Sequence, residues 1–257
     1  MQVHLEAFLE TGNQEDLHRF RVQIKKLKAM FSLLEDASSQ QGLLKNFKPV
    51  RKIFKYAGHI RDAHTNLLLS ERYKLTNEAF ETGQQKIIAD GTNEFQSNRK
   101  KFIKSIEGSY KSLKKQLPKV SDEAIAEFYK NQLEHIAGKL AVPDFSEEMH
   151  SNRKLIKTLV YNHKLTDKAL EGSLHINSEY LDKLQSTIGE WHDNIVAEQL
   201  FASPELNDLP VLKKIKKTNA GVQRNIKSLA VDFLKKATEH EENKVEKVTV
   251  ENEVAEV

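Results

Sequence analysis

Cysteine is absent from this 257-residue chain, which excludes disulfides and thiolate-bound metals and is compatible with a reducing compartment. No apolar run approaches the roughly 20 residues that cross a bilayer, and the N-terminus has neither the basic nor the apolar segment of a secretory signal. A cytoplasmic protein is therefore expected. His-Glu-x-x-His, a Walker loop and the clustered carboxylates of two-metal phosphoryl chemistry are all missing. With no nucleophile and base arrangement either, the chain reads as a binding protein rather than an enzyme, with no metal and no cofactor. Only five prolines and ten glycines interrupt it, and strand-like alternation is confined to the last residues.

Charge is abundant but unevenly placed. Residues 239–257 hold seven acids (Glu239, Glu241, Glu242, Glu246, Glu251, Glu253, Glu256) against Lys244 and Lys247, a balance of −5, so the chain total of +3 leaves +8 on residues 1–238. The tail has no aromatic residue and no helical stripe. It is expected to be a disordered acidic end, with competition for the basic body as its functional alternative.

The body reads as helix throughout. Leu17, Phe20, Ile24, Leu27, Phe31 and Leu34 recur at three- and four-residue spacing, as do Val50, Ile53, Phe54, Ala57 and Ile60, and Leu212, Ile215, Val222, Ile226, Leu229 and Phe233. Helices are expected at about 2–10, 14–36, 42–57, 60–81, 84–116, 121–139, 146–166, 177–201 with an interruption near Gly189, and 207–238. Pro118 followed by Ser121-Asp122-Glu123 marks a helix stop and a new N-cap. Two helical halves are expected to meet there, about 1–118 and 119–238.

A basic motif occurs twice. His18-x-x-Arg21-x-x-x-Lys25-Lys26-x-Lys28 is followed by Gly58-His59-Ile60-Arg61-Asp62; His150-x-x-Arg153-Lys154-x-x-Lys157 is followed by Gly189-Glu190-Trp191-His192-Asp193. His to Gly is 40 residues in one copy and 39 in the other, and Gly to Asp is four in both. Solubility alone does not require that spacing twice, so the chain reads as an internal duplication that retains cations beside a histidine.

Helical geometry places His18, Arg21, Lys25 and Lys28 on one flank of the apolar stripe, and His150, Arg153 and Lys157 repeat the arrangement. On such a rim Arg21 and Lys25 are expected to be replaceable without loss of stability. Lys48, Arg51, Lys52, Lys55 and His59 form a further stripe, and Lys213, Lys216, Lys217, Arg224 and Lys227 another. Lysine runs such as Lys100-Lys101 and Lys114-Lys115 read as solvated faces. Four segments thus offer cations that can converge on one groove.

These motifs, with the second-half Tyr161 and the run Leu184-Gln185-Ser186-Thr187-Ile188-Gly189-Glu190-x-x-Asp193, resemble the CHAD family, the conserved-histidine α-helical domain. The resemblance covers residues 1–238. It implies an all-α fold of two pseudo-symmetric four-helix bundles, a basic groove between them that binds inorganic polyphosphate, and association with polyphosphate granules. Carried over position by position, it marks His18, Arg21, Lys25, Lys26, Lys28, His150, Arg153, Lys154 and Lys157 as the basic motif. Lys48, Arg51, Lys52, Lys55, Lys213, Lys217 and Arg224 join them from the neighbouring basic faces. Arg61 and Asp62 match the Arg-Asp element; Arg61, Asp62 and Asp193 are read as orienting groups, the two acids positioning the arginines rather than touching phosphate. The second half departs from the pattern at Thr158 and Val160, where cations are expected, and at His192, which stands where the first half has Arg61.

Polyphosphate suits such a surface, since it carries a charge at every repeat and offers no base to read. Arginine makes bidentate contacts to phosphate oxygens and lysine adds point charges. Binding is expected to strengthen between about pH 8 and 6 if His18 and His150 titrate near the reference value of about 6.5. Nucleic acid is the rival partner, because a basic groove attracts any polyphosphodiester, but few aromatics interleave the cations. A metal-dependent phosphohydrolase built on His18, His150, His192, Asp62 and Asp193 is a weaker alternative.

Overall fold

The computed structural model describes residues 1–170 and 174–238. Every regular element in them is helical: α1 (Gln2–Thr11), α2 (Gln14–Ser38), α3 (Leu43–Asn46), α4 (Lys48–Tyr73), α5 (Glu78–Ser97), α6 (Arg99–Lys114), α7 (Asp122–Leu140), α8 (Glu147–Ala169), α9 (Ser178–Phe201), α10 (Leu209–Ala230) and α11 (Phe233–Thr238). No described helix is long and apolar enough to cross a membrane. The acidic tail read from the sequence lies outside the described residues.

Short polar side chains start these helices by accepting from free first-turn N–H groups. Asn13 Oδ1 accepts from Glu15 N at 2.8 Å, Asn77 Oδ1 from Phe80 N at 3.0 Å, Ser121 Oγ from Ala124 N at 3.3 Å and Asn177 Oδ1 from Tyr180 N at 2.9 Å. At other ends the chain turns through the left-handed region, at Gly12 (φ 69°) and at Lys74 (φ 56°).

Four helix breaks differ from those the sequence suggests. No interruption occurs at Gly58 or Gly189, because α4 and α9 run straight through them. The α4 stop comes at Lys74, where Leu75 N reaches back to Ser70 O at 2.9 Å. The long helix expected over 84–116 divides at Asn98, whose side-chain amide and backbone N–H both donate to Glu94 O, at 2.9 and 3.1 Å. The side chain thus shares a carbonyl that its own backbone N–H already holds.

The chain separates into two compact units that do not follow a single cut. Unit 1 comprises Met1–Val120 with Asp193–Thr218, and unit 2 comprises Ser121–His192 with the chain from Asn219. The first division lies beside the expected 118/119 boundary. Residues 193–218, assigned by sequence to the second half, join unit 1 because Phe201 and Ile215 pack with Leu69 at the end of α4, and Tyr73 meets Phe201 edge-on at 5.2 Å.

The main core of unit 1 gathers Leu5 and Phe8 of α1, Leu17, Phe20, Ile24 and Phe31 of α2, Val50, Ile53, Ala57 and Ile60 of α4, and Phe95, Phe102 and Ile106 of α5 and α6. Phe8 and Phe102 flank Phe95 at 5.6 and 4.8 Å. In unit 2, Phe128, Tyr129, Leu133 and Ile136 of α7, Ile156 and Leu159 of α8, Leu181, Leu184 and Ile188 of α9 and Ile226 of α10 are all buried. The Tyr129 hydroxyl shares a hydrogen bond with Thr166 Oγ1 at 2.9 Å and lies 3.2 Å from Leu159 O. Burial pushes that phenol up to about 12.

Glu35 is the one acid among the buried residues of α2, and it has a purpose. Its Oε1 accepts from Gly42 N at 2.8 Å and Leu44 N at 3.0 Å, so a carboxylate caps the turn into α3. Glu35→Ala strands both donors and is expected to lower stability by about 3 kcal/mol, read from urea unfolding.

Candidate functional site

In unit 1 the first motif copy lies on α2 and faces α4. His18 and Arg21 are half-buried, whereas Lys25, Lys26 and Lys28 are exposed further along the helix. The Arg21 guanidinium stacks 4.1 Å over the Phe54 ring, and its Nη1 donates to Phe54 O at 2.8 Å. Helical geometry already commits that carbonyl to the N–H of Gly58, so Arg21 is its second donor. A Cβ on Gly58 would stand 3.3 Å from Arg21 Nη1. Arg21 is therefore packed into a helix pair, and the expectation that it can be replaced freely is corrected: Lys25 sits on the open rim, but Arg21 does not.

Charges crowd this corner. Burial holds Arg21 below its ordinary value, with Asp62 opposing and Arg61 adding to the effect. His18 is lowered by burial, then by Arg61, against the pull of Glu15, with Lys25 and Arg21 contributing. Arg61 Nη1 approaches His64 Nδ1 at 2.7 Å. An arginine can only donate, so that nitrogen accepts and His64 is neutral in this contact. Burial and Arg61 both lower His64. His64 went unnoticed in the sequence, although its place one turn after Arg61 on α4 is a signal for it. Asp62 is exposed.

The α4 stripe is an open set of cations in this unit. Lys48, Arg51, Lys52, Lys55 and His59 are exposed, while Val50, Ile53, Ala57 and Ile60 on the same helix are buried. Lys48, Arg51, Lys52 and Lys55 form no ion pair with a described residue. Tyr56, also missed, lies 47% exposed in their midst with its ring 6.1 Å from Phe102. Lys213 and Lys217 are exposed on α10, and Lys216 is paired with Glu198 at 3.4 Å.

Unit 2 carries the second copy on α8, facing α9. Arg153 Nε donates to Gln185 O at 3.1 Å, and a Cβ on Gly189 would meet Arg153 Nη2 at 2.6 Å, Nε at 2.9 Å and Cζ at 3.0 Å. The guanidinium thus lies flat against the glycine. As in unit 1, the carbonyl it takes belongs to the residue four positions before the glycine, so the register is the same.

The histidines repeat as well. His150 stacks on His192 with centroids 4.0 Å apart and planes 22° from parallel, and His150 Nδ1 is buried without a hydrogen-bond partner among the described residues. Burial, then His192 and Lys154, bring His150 down to about 4 against the pull of Glu147, with Arg153 contributing. His192 occupies the position of Arg61, and each acts on the histidine of its own motif: Arg61 on His18, His192 on His150. Lys154 is exposed, Lys157 is half-buried with Nζ 5.5 Å from the Tyr161 ring, and Asp193 is exposed. Burial and Asp182 raise Tyr161, with Arg153 opposing. Arg224 is exposed on the part of α10 that belongs to unit 2. Among the described residues no three histidine or acidic side chains come together as a metal site.

A family model, the CHAD domain, matches residues 1–202. The chain belongs to the CHAD family. The match takes in α1 to α9, both motif copies and both glycines; α10 and α11, included in the resemblance read from the sequence, lie beyond it. CHAD domains are associated with polyphosphate-related proteins. No curated protein and no solved structure matches the chain.

Proposed function

We propose that this CHAD chain binds inorganic polyphosphate without transforming it, through exposed cations of α2, α4, α8 and α10. We further propose that the two motif copies descend from an internal duplication of a pseudo-symmetric helical unit. On this reading the chain is cytoplasmic and associates with polyphosphate granules. The observation that carries the reading is the α4 stripe, where Lys48, Arg51, Lys52 and Lys55 stand exposed over about 10 Å of helix without acidic partners among the described residues. Cations whose role is solubility are usually interspersed with acids; an unneutralised row attracts a linear polyanion.

Tyr56 favours a second reading, single-stranded nucleic acid, because an exposed ring amid cations offers a stacking platform. Competition titration of polyphosphate against single- and double-stranded nucleic acid, at equal phosphate concentration and physiological salt, separates the two. Polyphosphate is expected to displace both, and Tyr56→Ala to leave its affinity unchanged. Tighter binding of single strands that is lost in Tyr56→Ala would overturn the proposal.

A further inference from the structure

The repeated Gly-x-x-x-Asp does not advertise a use, since glycine within a helix is unfavourable and neither Gly58 nor Gly189 has the positive φ that only glycine tolerates. What the two share is an arginine. In each unit the guanidinium of the His-x-x-Arg motif lies over the glycine backbone and donates to the carbonyl one turn earlier: Arg21 to Phe54 O over Gly58, and Arg153 to Gln185 O over Gly189. We propose that Arg21 and Arg153 are positioning residues, clamps that lock α2 to α4 and α8 to α9, and that Gly58 and Gly189 are there to seat them. Phosphate is then met by the lysines displayed around the clamped helix pairs. The stability half of this inference stands alone, and the binding half rests on the polyphosphate reading above.

The two clamps differ in tightness. At Gly58 an added methyl needs Arg21 to yield by a few tenths of an ångström, whereas at Gly189 it would overlap three guanidinium atoms and evict the group. Helix propensity alone favours alanine over glycine by roughly fivefold in the folded-to-unfolded ratio. Gly58→Ala is therefore expected to be near neutral. Gly189→Ala is expected to lower the ratio despite its better propensity, because a charged hydrogen bond worth roughly tenfold or more is lost.

The test uses the full chain, with urea unfolding of Gly58→Ala, Gly189→Ala, Arg153→Met, Arg153→Lys and the Gly189→Ala, Arg153→Met double variant. The double variant is expected to be no less stable than Arg153→Met, since the methyl has nothing left to evict. Arg153→Lys is expected to fail to restore stability, because it keeps the charge but lacks Nε and the flat face. Stabilisation by both glycine substitutions, additive losses in the double variant, or full rescue by lysine would each overturn the clamp. If Arg153→Met does not fold, Gly189→Ala still decides, as it changes one methyl and no charge.

A salt titration with polyphosphate as probe separates positioning from contact. Arg153→Met should weaken binding while leaving the slope of log affinity against log salt unchanged; a slope smaller by roughly 0.7–0.9 would make Arg153 a phosphate contact. Absence of binding by the unaltered chain would sink the polyphosphate reading and leave the unfolding result intact.

Discussion

Reversing Lys48, Arg51, Lys52 and Lys55 to glutamate is expected to lower polyphosphate affinity by at least about a hundredfold at physiological salt, while the unfolding midpoint holds or rises. The two effects have opposite signs for a physical reason. All four side chains are exposed, so their replacement disturbs no packing and ordinarily changes stability by no more than about 0.5 kcal/mol each. Lys48, Arg51 and Lys52 moreover stand in and just after the first turn of α4, where the helix dipole disfavours cations, and no acid occupies that turn. Glutamate there is expected to gain about 0.3–1 kcal/mol per site near the terminus. Sequence that holds cations where a helix prefers acids points to a demand other than folding. For the ligand, four attractive charges become four repulsive ones along a single face. Calorimetric titration with polyphosphate, paired with a thermal melt, reads both quantities. Unchanged affinity would remove α4 from the binding surface, and loss of fold would show that the stripe is structural.

What the sequence made legible was periodic. The stripe from Leu17 to Phe31 and the stripe from Val50 to Ile60 both became core, because apolar side chains at three- and four-residue spacing have only one face to bury. The duplicated motif was equally plain, since its spacing is a property of the chain itself. The roles within it were not. A cation on the flank of an apolar stripe can point to solvent or into the next helix, and which one occurs depends on what the facing helix presents. Lys25 stays exposed with Nζ 5.8 Å from the Phe54 ring, whereas Arg21 meets a glycine and a helical carbonyl. Gly58 and Gly189 were read as weak points for the same reason: a propensity scale records the entropy of glycine and not the guanidinium that fills the space beside it. The division at Asn98, inside a stretch whose apolar spacing reads as one helix, was likewise not legible. His192 stands where the first half has Arg61, and the structure gives that replacement a consequence, a stacked imidazole pair in place of a guanidinium beside His18.

Burial of both motif histidines moves the pH response below the window of about 8 to 6 expected from reference values. His150 is held down to about 4 and His18 is also lowered, so both are neutral in the free protein around pH 7. Burial is the largest cause of the lowering at both, and a bound polyanion opposes the cations that add to it, Arg61, Lys25 and Arg21 at His18 and Lys154 and Arg153 at His150, and so raises both values in the complex. The complex then takes up protons that the free protein does not hold, and affinity is expected to increase as pH falls from about 6.5 towards 4. Folding has the opposite sign. The unfolded chain protonates these histidines near 6.5 while the native one resists, so the native state is favoured above that value and loses stability as pH drops through the same interval. Acid should therefore loosen the free protein and tighten its complex at once. Isothermal titrations and urea melts at pH 7, 6 and 5 measure the two trends. In the His18→Gln, His150→Gln variant both are expected to flatten. A binding trend that persists there would assign the proton uptake to other histidines, with His64 and His192 the nearest candidates, while a flat response in the unaltered chain would leave His18 and His150 as packing residues beside the arginine clamps.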